Sequence, residues 1–162
     1  MPKSAPCHPR NALVRAVAAL FVGTLIGCVA TPNDPAPLYE RLGGTPGVTR
    51  IVERTIERSA SDPRTKRSFD GIKLKALKES LVQQICHLSG GGCRYEGATM
   101  AEAHKDARIQ ASEFDAMVTI LREELDAAGV DAGAKNQLLR LLAPMKREVL
   151  AAPNPAASAA AR

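Results

Sequence analysis

The stretch from Leu77 to His104, LKESLVQQICHLSGGGCRYEGATMAEAH, decides the fold. Leu77, Leu81, Ile85 and Leu88 recur at helical intervals, which places them on one face of a helix. Gly90, Gly91 and Gly92 stop that helix, since glycine takes up the left-handed backbone that ends one. A looped segment from Cys93 to Ala98 follows. Thr99 and Glu102 then have the spacing of a capping box, and the short helix they open carries His104. The result is an apolar wall opposite a single imidazole, the two faces that a flat, iron-bearing ligand requires.

The residues on either side are helical too. Leu38-Tyr39-Glu40-Arg41-Leu42 makes a turn or two, closed by Gly43-Gly44. Thr45-Pro46 starts the next helix, because proline is tolerated where the amide has no partner. That helix buries Val48, Ile51, Val52, Thr55 and Ile56 and fades near Ser61-Asp62-Pro63. A basic connector, Arg64 to Arg67, leads through Phe69-Asp70-Gly71 to the helix of the opening stretch, which starts near Leu74. Beyond His104, Ser112 is the expected cap of a helix with Phe114, Met117, Val118, Leu121 and Leu125 on one face, ending at Gly129. The last helix is expected over about Ala132 to Leu150, with Leu138, Leu142, Met145 and Val149 inward and a bend at Pro144. No segment alternates long enough to be a strand, so the class is all-α.

Composition narrows the partners. With 45% hydrophobic residues and 3% aromatics, the core must be aliphatic. The net charge of +5 suggests nucleic acid until its distribution is read: Lys3, Arg10 and Arg15 fall in the first 27 residues, where there are no acids. The remainder holds 19 basic and 17 acidic residues, so no nucleic-acid partner is expected.

The first segment itself reads as an export signal. Ala16 to Gly27 is an apolar run of 12 residues, against the roughly 20 that span a bilayer, and it follows a basic start. It ends in Leu25-Ile26-Gly27-Cys28, which resembles the bacterial lipoprotein signal, where cleavage precedes a cysteine that is then lipidated. Cleavage by an ordinary peptidase, with Cys28 a bystander, is the alternative. The lipoprotein reading implies a mature protein beginning at Cys28, anchored by lipid and facing the periplasm. Val29, rather than aspartate, favours the outer over the inner membrane by resemblance to Gram-negative sorting. The expected organisation is a signal peptide over 1–27, a Pro-rich tether over 28–37, a folded domain over 38–150 and a disordered Ala/Pro-rich tail over 151–162.

Cys86 and Cys93 lie seven positions apart, about 10 Å of rise on a continuous helix and beyond the roughly 7 Å limit for bridging α-carbons. The intervening glycines allow the chain to turn back. A disulfide is then the default in an exported protein; free thiols, or a metal site from Cys86, His87, Cys93 and His104, are the alternatives.

In order and spacing these features resemble the group I truncated haemoglobins, whose globin fold is a 2-over-2 helical sandwich. The resemblance spans nearly all of Leu38 to Leu150. It is carried by Leu38-Tyr39-Glu40-Arg41-Leu42-Gly43-Gly44, Phe69-Asp70-Gly71, Gly90 to Gly92, Tyr95-Glu96-Gly97, Met100 to His104 and Leu142-Ala143-Pro144. It implies a haem cofactor, with His104 as proximal iron ligand and Met100 on the same helix face. Phe69 packs on the haem plane, and Ile56, Leu77, Leu81 and Met117 complete the cofactor-binding set. Lys73, Lys75 and Lys78 form either a solvated face or partners for a haem propionate, and Tyr95 either touches the haem edge or staples its loop.

Two departures stand out. Ile56 replaces the tyrosine the family usually directs at bound ligand, and Leu77 and Leu81 occupy positions often held by polar side chains. Bound dioxygen carries partial negative charge and lacks a donor here, which implies faster oxygen release and easier autoxidation than in a tyrosine-bearing relative. Thr55 would reach the ligand only if its helix were rotated.

The expected function is binding of a diatomic gas (oxygen, nitric oxide or carbon monoxide) by an exported haem globin, with a redox partner outside the chain. Nitric-oxide dioxygenation, needing an external reductase, is the enzymatic alternative. Peroxidase chemistry lacks the polar distal side chain it needs. A haem-free helical lipoprotein that serves as an interaction module is the third reading.

Overall fold

A computed structural model describes residues 36–150, and the expected leader, Cys28, most of the tether and the tail lie outside them. The described residues form seven α-helices and one 3-10 turn, with no strand among them.

Helix α1 (Leu38–Arg41) is one turn long and hydrogen-bonded to a distant part of the chain, its Tyr39 N–H donating to the Ser89 carbonyl at 3.1 Å. Gly43, at φ 87°, turns the chain into α2 (Gly44–Ser61). Gly47 lets the two helices meet, because a Cβ there would lie 2.2 Å from the Leu42 carbonyl oxygen. Val48, Ile51, Val52, Thr55, Ile56 and Ser59 are all buried on α2, the expected face with Ser59 added. Asp62 ends the helix in extended backbone, as the residue before Pro63 must. Its carboxylate accepts from the Arg64 N–H at 2.8 Å and from the Arg64 guanidinium, which together hold its pKa at about 2.

The 3-10 turn Lys66–Phe69 leads to α3 (Leu74–Leu88), which ends at Ser89 and Gly90, the latter at φ 81°. Helix α4 (Met100–Ala103) opens with the expected capping box between Thr99 and Glu102. Helix α5 (Ala111–Ala127) corrects one expectation: its cap is Gln110, paired reciprocally with Glu113, and Ser112 lies inside the first turn. The expected last helix is divided. Helix α6 (Ala132–Leu142), capped by Asp131, stops before Pro144, and α7 (Met145–Leu150) resumes after it. Proline lacks the N–H and crowds the preceding turn, which here ends the helix outright.

Helix α2 is the floor of the molecule. Helices α3 and α5 both pack on it, while α1 packs on α6 and α4 on α7. The core joins Leu38 and Leu42 to Val48, Ile51, Val52 and Ile56, and to Ile85, Leu125 and Leu138. Burying each such side chain contributes about 1.5–3 kcal/mol, so the α2 face alone accounts for much of the fold's cohesion.

Candidate functional site

His104 is half-buried at the C-terminal end of α4. Its Nδ1 lies 2.8 Å from the Met100 carbonyl oxygen. A carbonyl only accepts, so Nδ1 donates and Nε2 is the ring nitrogen left for a metal. A single-turn helix has little stability of its own. It is held from two sides: by its packing on α7, and by Gln84 of α3, whose Nε2 donates to the Met100 thioether at 3.7 Å and to that of Met145 at 3.6 Å.

Beyond His104 the chain is strained, with Asp106 at φ 66° and Arg108 at φ 50°. That conformation is held by Arg67, whose guanidinium donates to the Arg108 carbonyl at 3.0 Å and to both carboxylate oxygens of Glu113. Burial pushes the Glu113 carboxyl up, but Arg67 and the Gln110 N–H together bring it below its ordinary value. Arg67, Glu113 and Gln84 were not among the expected site residues. Gln84 did leave a sign, since it lies seven positions from Leu77 on an otherwise apolar face.

Phe69, Leu77, Leu81 and Met117 are partly buried and pack against the core that contains Ile56, which is completely buried. Leu74, Leu77 and Leu81 share one face of α3, and Phe114, Met117 and Leu121 share one face of α5; both rows are half-buried beside the fully buried face of α2. His104 and Met100 stand outside that cluster, joined to it through Gln84. The Lys78 ammonium is taken by Glu57 of α2 at 2.8 Å, whereas Lys73 and Lys75 are exposed. Tyr95 staples its own loop, its hydroxyl donating to the Ala98 carbonyl at 3.2 Å.

Cys86 and Cys93 are joined as a disulfide with α-carbons 5.6 Å apart, which takes both sulfurs out of any metal set. The glycine between them that matters is Gly91: a Cβ there would sit 2.7 Å from both the Cys86 sulfur and the Tyr39 ring. His87 is turned to the same loop, its Nδ1 3.0 Å from the Cys93 carbonyl. Two shallow depressions elsewhere, of about 160 and 260 Å³, lie at the α1–α2 junction and between α2 and α3. Both fall below the roughly 300 Å³ of a small-molecule pocket, and neither includes His104.

The donor set fits haem: one imidazole whose Nε2 has no partner among the described residues, and half-buried aliphatic and thioether side chains, with no carboxylate needed at the metal. Residues 37–151 match the bacterial-like globin family. The chain belongs to that family. This globin is 29% identical over 116 residues to the group 1 truncated haemoglobin of Mycolicibacterium paratuberculosis, covering 72% of this chain and 85% of that one. The truncated haemoglobin of Tetrahymena pyriformis, solved in its Fe(III) form, superposes with a TM-score of 0.66 at 26% identity, over 70% of this globin and 97% of that chain. The 2/2 haemoglobin of Synechococcus sp. PCC 7002, which has covalently attached haem, gives 0.66 at 25% identity over 72% and 99%. Among the described residues the globin is thus all-helical with the 2-over-2 arrangement, and its homologues bind haem.

Proposed function

We propose that this globin would hold haem through His104 and, with it, bind a diatomic gas. The observation that carries the reading is the hydrogen bond from His104 Nδ1 to the Met100 carbonyl, which frees Nε2 and orients the ring. The iron would supply the gas-binding position; the chain's own residues orient the imidazole and exclude water. Met100, Phe69 and Met117 would contact the macrocycle, and Ile56, Leu77 and Leu81 would keep the ligand side apolar. Carriage, sensing and removal of the gas all use this arrangement, and turnover of nitric oxide would require electrons from a partner protein.

The experiment is the absorption spectrum of the purified, reduced protein with and without carbon monoxide. A Soret band that shifts with carbon monoxide and is lost in His104→Ala supports the reading. A folded helical protein with no band overturns it in favour of an interaction module.

We further propose export and a lipid anchor at Cys28, supported by the leader's pattern and by a Cys86–Cys93 disulfide, which persists in oxidising compartments. Labelled fatty acid incorporated into the wild type but not into Cys28→Ala, with the protein in the outer-membrane fraction, is the expected result.

A further inference from the structure

Two hydroxyls on the floor helix have no hydrogen-bond partner. Thr55 is 4% exposed and Ser59 0%, and neither Thr55 Oγ1 nor Ser59 Oγ is paired within the described residues. A buried hydroxyl without a partner is costly, and helices offer a standard remedy, donation to the carbonyl one turn back. Three others in this chain take it: Ser61 to Glu57, Ser89 to Ile85 and Thr119 to Asp115. Thr55 and Ser59 do not.

Their direction follows from the flanks of α2. Successive helix residues are about 100° apart. Arg54 and Arg58 reach Glu124 of α5 and so mark one flank. Thr49 and Glu53 share a depression with Lys78 and Val82 of α3 and mark the other. Thr55 and Ser59 fall between the two, on the part of α2 that lies between its contacts with α3 and with α5, toward the half-buried Leu77, Leu81, Met117 and Leu121. Ile56 is rotated toward α3. The helix is therefore set as the sequence alone did not require, with the threonine rather than the isoleucine central.

We propose that the Thr55 hydroxyl is the hydrogen-bond donor to a polar diatomic ligand held between α3 and α5, in a wall where Leu77, Leu81, Met117 and Leu121 offer none. Thr55 is the donor rather than Ser59, which lies at the closed end of α2, where its carbonyl accepts from buried Thr65 at 2.6 Å. The proposal rests on the haem reading and deepens it.

The test uses the purified full chain and the variants Thr55→Val, Thr55→Ser and Ser59→Ala, with carbon monoxide and oxygen as probes. Wild type without a Soret band fails the haem reading itself, and this proposal with it. With the band present, Thr55→Val is expected to release oxygen roughly fivefold faster, the scale of one hydrogen bond, and to raise the carbon monoxide stretching frequency in the infrared. Thr55→Ser is expected to stay near wild type, because it keeps the hydroxyl. In haem-free protein, Thr55→Val is expected to melt no lower than wild type. Unchanged oxygen release and frequency in Thr55→Val, a change confined to Ser59→Ala, or a lower melting temperature of haem-free Thr55→Val each overturns the proposal.

Discussion

The Gln84 amide lies between two sulfurs, 3.7 Å from that of Met100 and 3.6 Å from that of Met145. One buried side chain of α3 thereby holds both the single turn that precedes His104 and the first residue of the last helix. Gln84→Leu keeps the volume and removes the donor. The expected cost is about 1 kcal/mol of stability, together with a several-fold faster transfer of haem to an acceptor protein, followed by loss of the Soret band.

Arg67→Ala removes the partner of a carboxylate that remains buried. With Arg67 itself half-exposed, solvent screens the pair, and its contribution near neutral pH is small. Glu113 is depressed in the folded state, so its contribution is present above its ordinary value of 4.5 and is lost as the pH falls through the lower folded value. In Arg67→Ala, burial is opposed chiefly by the Gln110 N–H, so the folded value rises and the loss of stability on acidification through this window shrinks. Urea unfolding at a series of pH values from about 7 downward reads both effects.

Asp62 gives a second acid signal, at lower pH. Held at about 2 by Arg64 against an ordinary 3.8, it stabilises the turn after α2 above the ordinary value and ceases to do so as the pH falls toward about 2. Arg64→Gln removes the guanidinium but keeps the N–H at that position, so it is expected to shrink that lower phase while leaving the Glu113 phase in place, as followed by carboxyl chemical shifts in NMR.

Gly91→Ala is expected to destabilise by about 1–3 kcal/mol, because its methyl would enter the space of the Cys86 sulfur and the Tyr39 ring. At Gly90 a Cβ meets open space, and the penalty there is only that of φ 81°, about 1 kcal/mol. Thermal unfolding of the two variants is expected to rank them in that order.

Breaking the Cys86–Cys93 link by a double serine substitution is expected to cost roughly 2.5 kcal/mol, the loop-entropy value for so short a ring. Reduction of the wild type by dithiothreitol is expected to lower its melting temperature to that of the variant.

Helix positions and the α2 core face were readable in the sequence because apolar spacing determines them. Ser112 was mistaken for a cap because a serine before an apolar row suits that role, while the glutamine two positions earlier formed the reciprocal pair with Glu113. Pro144 was expected to bend a helix, and whether proline bends or ends one depends on packing, here that of α7 on α4. The orientation of α2 was hidden for the same reason: the spacing of Val48, Ile51, Val52 and Ile56 defines a buried face but not which partner lies on each side of it. The ion pairs of Arg54 and Arg58 with Glu124 settle that, and they join residues far apart in the chain.

The arm that carries His104 is tied at both ends, by the covalent ring at Cys93 and by the Arg67 grip on the Arg108 carbonyl. Should the single turn between them melt, the imidazole remains leashed within a short radius of its seat. Its effective concentration there is then set by the length of the leash, on the millimolar scale typical of short flexible linkers.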